Sequence, residues 1–552
     1  MPATYTIGVD FGTASGRVVI CDSSTGIIVS EDITTYKHGV LDKTLPNGDS
    51  LPDNYALQHP QDYLDVLHTS IPNALKKGNI SKEQVIGIGV DFTSSTVIPI
   101  DKNGIPLCFK NKWEAHPHSY AKLWKHHGAM KQAESMQQVY EQGSFHFLKN
   151  YGESISCEWM VPKILEVAEE DLELYDEAAY FVEAIDWISF VLTGNLVRSN
   201  CSAGFKAFWD KDNGFPQSFF DECSPLLTRL SQTKLAGTVT QVGDKAGELT
   251  TDRAELLDLL PGIAVAVGII DAHAAVLGTG AVNPRTLVMV MGTSTCHLLL
   301  DEEFIEVPGI SGSVKDGIIK HMHAYEAGQS AVGDLFAAFV DQMVPENITK
   351  QAQQKQLPIL AYLEEKLLDV KAGSTGLLAL DWHNGNRSPH NLPQATGGIL
   401  GLTLQTKPEE IFLALMEATA FGARSIIENY REAGLTIDTV VAAGGLPFKN
   451  RRLMEIYANV LNQPIQIAST PHAPAVGAAI LGAAAAGKAR GGYKTVLEAS
   501  KKMGNAGNVI IYPENEAVER YNQLYTQYKR LSEFQIKTLE DLQSCHQKEP
   551  ST

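Results

Sequence analysis

Residues 5–22 read YTIGVDFGTASGRVVICD, and the rest of the chain is organised around this stretch. β-Favouring residues flank a turn rich in Gly, Thr and Ser, the pattern of a strand, a tight bend and a second strand. Asp10 closes the first strand, and Gly12, Thr13, Ser15 and Gly16 form a polar bend with little side chain to block it. Successive backbone N–H groups in such a bend make a concave anion site, and glycine lets a phosphate approach the main chain. A carboxylate at its lip suits Mg²⁺, which takes one or two carboxylates together with phosphate oxygens and water. Arg17 adds a cation. The stretch lacks the Gly-Lys-Ser/Thr of a P-loop and the spacing of a Gly-x-Gly-x-x-Gly dinucleotide turn. Taken alone, it also fits an ordinary hairpin whose Asp and Thr satisfy the turn.

A second stretch of the same kind stands far down the chain. Residues 287–301, LVMVMGTSTCHLLLD, run from an apolar strand through Gly-Thr-Ser-Thr into another apolar strand. Two such hairpins, about one domain length apart, imply two related lobes facing one nucleotide. A chain of 552 residues has length for two sizeable cores, and 44% hydrophobic with 20% charged residues is a globular composition. The formal net charge of −19 excludes a general nucleic-acid binder, which needs a basic face. Phosphate affinity must therefore be built locally.

Seven cysteines, at 21, 108, 157, 201, 223, 296 and 545, form no CxxC and read as free thiols in a reducing cytoplasm. No basic region followed by an apolar run opens the sequence, so no signal peptide is expected. The most apolar helical stretch, 473–486, is too short to span a bilayer. A cytoplasmic protein without nucleic-acid or membrane partners is the expectation. A homodimer is compatible with the long C-terminal helix and the Ala-rich surface.

Between the hairpins, residues 38–60 are dense in Pro, Asn, Gly and Asp and read as a long loop, and 61–77 carry a helical pattern. Residues 85–101, VIGIGVDFTSSTVIPID, repeat the theme of strand, polar turn and strand, with Ser94 at the bend. Hydroxyls there suit a polyol, or only the turn. His116, His118, His126 and His127 lack a metal-type pattern and read as hydrated surface groups. Residues 200–210 read as a polar, aromatic loop, in which Lys206 is by default a solvated charge. In 264–282 an apolar strand leads to Asp271 at the start of a small-residue helix. The helix dipole keeps such a carboxylate ionised, as a proton acceptor requires, and an N-cap has the same signature. Glu417, on the amphipathic helix 408–430, reads as a pocket residue or a helix-face charge. A buried-type strand at 440–448 runs into Gly444 and Gly445, where bare backbone can meet a ring or a phosphate. One long helix spans 517–542, and the last residues read as disordered.

These residues resemble the FGGY family of carbohydrate kinases over nearly the whole chain. The carriers are DFGT with Ser-Gly-Arg at 10–17, VDFTSST at 90–96, KLWKHH at 122–127, IIDAH at 269–273, GTST at 292–295, YEAGQSAVGD at 325–334, WHNGNRSP at 382–389 and AAGGLPFKN at 442–450. The resemblance implies an α/β fold of two ribonuclease-H-like lobes, of the actin and hexokinase type, with a central cleft. The lobes would span 1–283 (sugar and phosphate binding) and 284–495 (nucleotide binding), with a helical tail, 496–552, packed on the body. It further implies ATP-dependent phosphorylation of a ketopentose, with L-ribulose converted to L-ribulose 5-phosphate. Asp271 matches the base, and Asp10 would hold Mg²⁺. Gly12, Thr13, Arg17, Gly292 and Thr293 would meet the β- and γ-phosphates, and Gly444, Gly445 and Asn450 would border the adenosine. Ser94, Lys206 and Glu326 would line the sugar with Asp271. Two other readings stay open: a sister kinase for D-ribulose, D-xylulose or a pentitol, and an actin-like ATP switch without a sugar.

Overall fold

The computed structural model describes residues 3–546, and the expected disorder of the last residues lies outside the described residues. β1 (Tyr5–Phe11) and β2 (Ser15–Asp22) form the opening antiparallel hairpin, and β3 (Ile28–Thr35) extends it. β4 (Val85–Phe92) runs parallel to β1, and β5 (Lys245–Glu248), β6 (Ala264–Ala266) and β7 (Ile269–Ile270) complete a sheet of order β5-β6-β4-β1-β2-β3 in which β7 also pairs with β4.

The period of two along a strand decides what each face of this sheet does. Ile7, Val9 and Phe11 of β1 point into an apolar core with Tyr63, Val66 and Leu67 of α1 (Pro60–Gly78). Gly8 and Asp10 therefore share the opposite face. β4 repeats the arrangement with Gly87, Gly89 and Asp91, and the register sets Gly8 beside Gly89 and Asp10 beside Asp91. Each strand thus carries small residues along one face and ends it in a carboxylate.

In the remainder of the first lobe, α2 (Met160–Glu170), α3 (Ala184–Thr193), α4 (Asn200–Lys206) and α5 (Asp271–Thr279) surround this sheet and a smaller four-stranded one. The second lobe repeats the plan. β8 (Thr286–Met291) and β9 (Thr295–Asp301) form the second hairpin. With β10 (Gly312–Lys315), β11 (His323–Gln329), β12 (Thr439–Ala443), β13 (Ile465–Ile467) and β14 (Val509–Ile511) they give the order β10-β11-β9-β8-β12-β13-β14. As in the first sheet, the hairpin's first strand has an antiparallel neighbour on one side and a parallel one on the other.

α6 (Pro408–Glu432) and α7 (Arg451–Leu461) pack on this sheet, and α8 (Ala473–Ala486) leaves it to lie against the glycine face of the first. A Cβ added at Gly8 would stand 2.0 Å from the Ala475 carbonyl oxygen, and one at Gly89 1.9 Å from that of Ala478. A helix of alanine and glycine is what such an approach demands. The contact joins the lobes through one continuous core holding Val19, Ile269 and Ala275 together with Val288, Leu298 and Ala479.

The last helix, α9 (Asn515–His546), docks on the second lobe by tyrosine hydroxyls. Tyr521 donates to Glu417 at 3.0 Å, Tyr525 to Glu428 at 2.8 Å and Tyr528 to Asp381 at 2.8 Å. Glu417 is thus a buried anchor for this helix rather than a helix-face charge or a cavity residue.

Residues 85–92 and 97–100 are strands flanking a turn, as expected, and lie in different sheets. The second segment is buried along its length and pairs with Tyr180–Glu183 in the four-stranded sheet. Two other expectations are corrected. Residues 200–206 are helical because Ser199 caps them, its hydroxyl accepting from the Cys201 N–H, so Lys206 is buried instead of solvated. His118 and His126 are buried as well. The Lys122 ammonium lies 2.9 Å from His118 Nδ1, 3.3 Å from His126 Nε2 and 3.0 Å from Glu166 Oε2, supplying the cation this polar pocket needs. Burial lowers both imidazoles to about 3, so they are neutral. His116 is exposed, as expected, whereas His127 is half-buried beside Glu158.

Candidate active site

The carboxyl ends of β1 and β4 and the two hairpin bends open on a cavity of about 380 Å³ between the lobes. Asp10, Gly12, Thr13, Ser94, Lys206, Asp271, Gly292, Thr293 and Glu326 all line it. Residues separated by most of the chain therefore meet in one place.

The bends are fixed by their own backbones. The Gly12 N–H donates to the Ser15 carbonyl at 3.0 Å and the Gly292 N–H to the Ser294 carbonyl at 2.9 Å. The second bend is held further by Val332 and Gly333, whose N–H groups donate to the Thr293 and Gly292 carbonyls at 2.9 and 3.0 Å. Trp124 Nε1 lies 3.3 Å from the Thr13 hydroxyl. Such preset bends offer anion sites that cost little reorganisation when a phosphate arrives.

Asp10 is half-buried at the cavity wall, and desolvation raises its carboxyl above the ordinary range. Asp91, behind it, is pushed well up by burial and then by the Asp10 charge, and neither of its oxygens receives a protein donor. Two hard carboxyl groups side by side at a phosphate-type bend, each disfavouring the other's charge until a cation arrives, fit a divalent cation such as Mg²⁺.

Asp271 is the first residue of α5, and its carboxylate accepts the Ala272 N–H at 2.7 Å. Ile270 occupies the cap position, so the aspartate is free to face the cavity. Burial raises its carboxyl to about 7, with the Asp10 charge adding to the rise and the Ala272 N–H opposing it. A carboxylate poised near neutrality can orient a hydroxyl and take its proton.

Lys206 Nζ donates to both oxygens of Glu326, at 2.8 and 3.0 Å. The lysine belongs to the first lobe and the glutamate to β11 of the second, so the pair crosses the cavity. Burial alone would raise Glu326, but Lys206 and His273 hold it below the usual carboxylate value. His273 Nε2 lies 3.4 Å from Glu326 Oε2, and burial lowers that ring to about 4.

Four residues expected at the site do not line this cavity. Arg17 instead reaches Glu31 at 3.0 Å, the carboxylate of the neighbouring strand β3. Asn450 caps α7, accepting the Leu453 N–H at 2.7 Å, and its amide donates to Glu364, so its side chain is committed. Gly444 and Gly445 stand at the end of β12, next to the second hairpin. Gly444 has φ of 90°, and a Cβ there would lie 2.4 Å from the Met291 carbonyl oxygen. Its glycine is required by the close passage of the two segments. Cavity residues without a role in the sequence reading include Trp124, Glu158 and Arg387. Arg387 falls inside the WHNGNRSP segment, which carries the family resemblance without marking a role for the arginine.

Two sheets of like topology around one cleft, lined by two anion bends and a carboxylate at a helix start, make a two-lobed phosphate-binding fold of the actin and hexokinase type. The chain matches the N-terminal domain of the FGGY family of carbohydrate kinases over residues 5–278 and its C-terminal domain over 287–486, and it belongs to that family. It is 47% identical over 549 residues to a ribulokinase of Shouchella clausii, covering 98% of each chain. It is 43% identical over 545 residues to a ribulokinase of Staphylococcus aureus strain Newman, covering 98% of this chain and 99% of the other. In fold it is similar to a xylulose kinase of Rhodospirillum rubrum (TM-score 0.77, 19% identity, covering 97% of this chain and 100% of that one). It is also similar to a glycerol kinase of Plasmodium falciparum (TM-score 0.74, 16% identity, 96% and 98% covered). Membership makes ATP a substrate together with a small sugar. Among the described residues no helix is long and apolar enough to cross a membrane.

Proposed function

We propose that this chain is a ribulokinase, transferring the γ-phosphoryl group of ATP to the terminal hydroxyl of L-ribulose to give L-ribulose 5-phosphate and ADP. The observation that carries the phosphoryl transfer is the presence of Asp271 in the same cavity as both glycine bends and the Lys206–Glu326 pair. The full-length similarity to proteins named ribulokinase supports the choice of sugar.

In this reading, Gly12, Thr13, Gly292 and Thr293 present N–H and hydroxyl donors to the β- and γ-phosphates, and Gly444 and Gly445 border the adenosine. Lys206, Glu326 and Ser94 hold the sugar so that its terminal oxygen faces the γ-phosphorus. That oxygen forms the new P–O bond while the bond to the β,γ-bridging oxygen breaks and ADP leaves. The hydroxyl proton passes to Asp271. Because phosphoryl transfer has a loose transition state, positioning and charge neutralisation supply most of the rate. Asp10 holds Mg²⁺, directly or through water, and the ion when bound neutralises triphosphate charge. Closure of the lobes excludes water as a competing acceptor. Free thiols at Cys21, Cys108, Cys157, Cys201, Cys223 and Cys296 and the acidic balance suit a cytoplasmic setting.

A panel of L-ribulose, D-ribulose, D-xylulose and pentitols tests the substrate by kcat/KM. L-Ribulose is expected to lead, and preference for another member of the panel assigns the chain to a sister activity. ATP hydrolysis indifferent to every sugar would favour the ATP-switch reading. The pH profile is a second test. Since the base must be ionised, kcat/KM is expected to fall with acidification along a limb near 7, where Asp271 titrates, rather than in the ordinary carboxylate range. A limb near ~4, the value of an unperturbed aspartate, would remove Asp271 from this role.

A further inference from the structure

Behind the cavity wall a lysine without solvent contact grips two of the segments that form it, and the reaction as described leaves it unused. Lys163 lies one turn into α2, the helix capped by the cavity residue Trp159, and its side chain is wholly buried. Its ammonium donates to the Ser95 carbonyl and to the Leu123 carbonyl, each at 2.8 Å. Lysine is almost never fully buried unless paired, and burial lowers this one below the usual lysine range. The carboxyls of Glu183 and of Glu158, which pairs with Arg387 of the second lobe at 3.1 Å, oppose that shift. An ammonium has three donors and accepts nothing. Two of them here go to main-chain oxygens, so the bonds fix where the backbone runs, whatever side chains it carries.

Both carbonyls belong to segments that reach the substrates. Ser95 sits in the turn at 93–96, where Thr93, Ser94 and Ser95 line the cavity. Its φ of 52° is strained for an L-residue. Its buried hydroxyl has no partner among the described residues, so the side chain does not hold this peptide, and the bond from Lys163 does. Leu123 precedes Trp124, whose Nε1 donates to the Thr13 hydroxyl of the first phosphate bend at 3.3 Å. The same helix grips this segment again one turn on, where Glu166 lies 3.0 Å from both Lys122 and His126. One ammonium therefore links the turn expected to face the sugar with the brace of a bend expected to face the phosphates.

We propose that Lys163 is a positioning residue for phosphoryl transfer: by holding the Ser95 and Leu123 carbonyls it sets the 93–96 turn against the bend braced by Trp124, and with it the distance between the sugar hydroxyl and the γ-phosphorus. It touches neither substrate. The inference rests on the kinase reading above. A buried lysine that served the fold alone would act on Tm, whereas one that sets alignment acts on kcat, because reactivity falls steeply when bound groups are misplaced.

Lys163→Met keeps the length and the burial and removes the donors. Its kcat is expected to fall roughly 10- to 100-fold, the effect of a misplacement of about 1 Å. KM for sugar and for ATP should stay within about threefold of the parent. Lys163→Gln retains two N–H donors on a shorter side chain, and its kcat should stand between, roughly 3- to 10-fold below the parent. Tm is measured on each preparation, and kcat is referred to folded protein. A folded methionine variant with kcat within about twofold of the parent overturns the inference. So does an equal loss in both variants, since the donors would then not be what matters. A raised sugar KM at unchanged kcat also overturns it, because Lys163 would then govern binding and not alignment. If the methionine variant does not fold, the glutamine variant decides by its own expected range. A parent that prefers a different ketopentose removes the L-ribulose reading alone, and the variants are then compared on that sugar. A parent that phosphorylates no sugar overturns both.

Discussion

Asp271→Asn lowers turnover roughly 10²- to 10⁴-fold, the usual worth of a positioned general base, while ATP still binds with near-parental affinity. The substitution preserves shape, and the new amide still offers an oxygen to the Ala272 N–H that the carboxylate accepts at 2.7 Å. What disappears is the capacity to take the sugar's proton. Stability moves the other way. The folded-state carboxyl is raised to about 7 by burial and by Asp10, so its proton is held more tightly in the fold than in the unfolded chain. The stability that this proton confers is complete below the unfolded value of ~4 and is lost as pH rises through about 7. At pH 8 the parent carries an ionised, repelled carboxylate that the variant lacks, so the variant should melt no lower than the parent. Calorimetry and steady-state kinetics on one preparation check both parts. Near-parental turnover, or a loss explained by a lower Tm, would contradict the assignment.

Gly89→Ala separates the lobes. Its Cβ would stand 1.9 Å from the Ala478 carbonyl oxygen and 2.9 Å from the Gly482 nitrogen, both backbone atoms of α8, which cannot rotate away. Overpacking of this kind costs about 3 kcal/mol, and more where backbone must shift. A fall in Tm of roughly 5 °C or more is expected. The site should suffer too, because α8 lies on the face of β1 and β4 that ends in Asp10 and Asp91. Weaker ATP binding should therefore accompany the lower Tm. Gly398→Ala is the control. No atom lies within 4 Å of its added Cβ, so its Tm should match the parent. A Gly89→Ala protein as stable as that control would mean that the glycine face is not what seats α8.

Both variants probe features that differ in how far the sequence reveals them. The hairpins at 5–22 and 287–301 are legible because alternation of period two and a glycine-hydroxyl bend are local signals. Asp271 is legible for the same reason, as a strand runs straight into a helix start. Lys206 and Glu326 entered only through family resemblance. Nothing in NCSAGFK marks a buried helix, since its small polar residues favour turns until tertiary contacts decide. His118 and His126 were placed at the surface because burial of polar groups depends on partners. Here the partners are Lys122 and Glu166, and the histidine-to-glutamate link spans 40 residues. The Glu158–Arg387 bridge spans 229 residues and joins two lobes, so no local pattern could announce it. Arg17 and Asn450 carry the opposite lesson. Their motif positions match the family, but each side chain is taken by the nearest group that satisfies it, Glu31 for one and the helix end for the other.

The measurement that bears most directly on the central claim is a crystal structure with a non-hydrolysable ATP analogue and L-ribulose bound together. The account predicts β- and γ-phosphates held between residues 12–13 and 292–293, with an Asp271 carboxylate oxygen within hydrogen-bond distance of the sugar's terminal hydroxyl and that hydroxyl in line with the γ-phosphorus. A triphosphate bound by only one of the two bends, or a terminal hydroxyl turned away from Asp271, would contradict it.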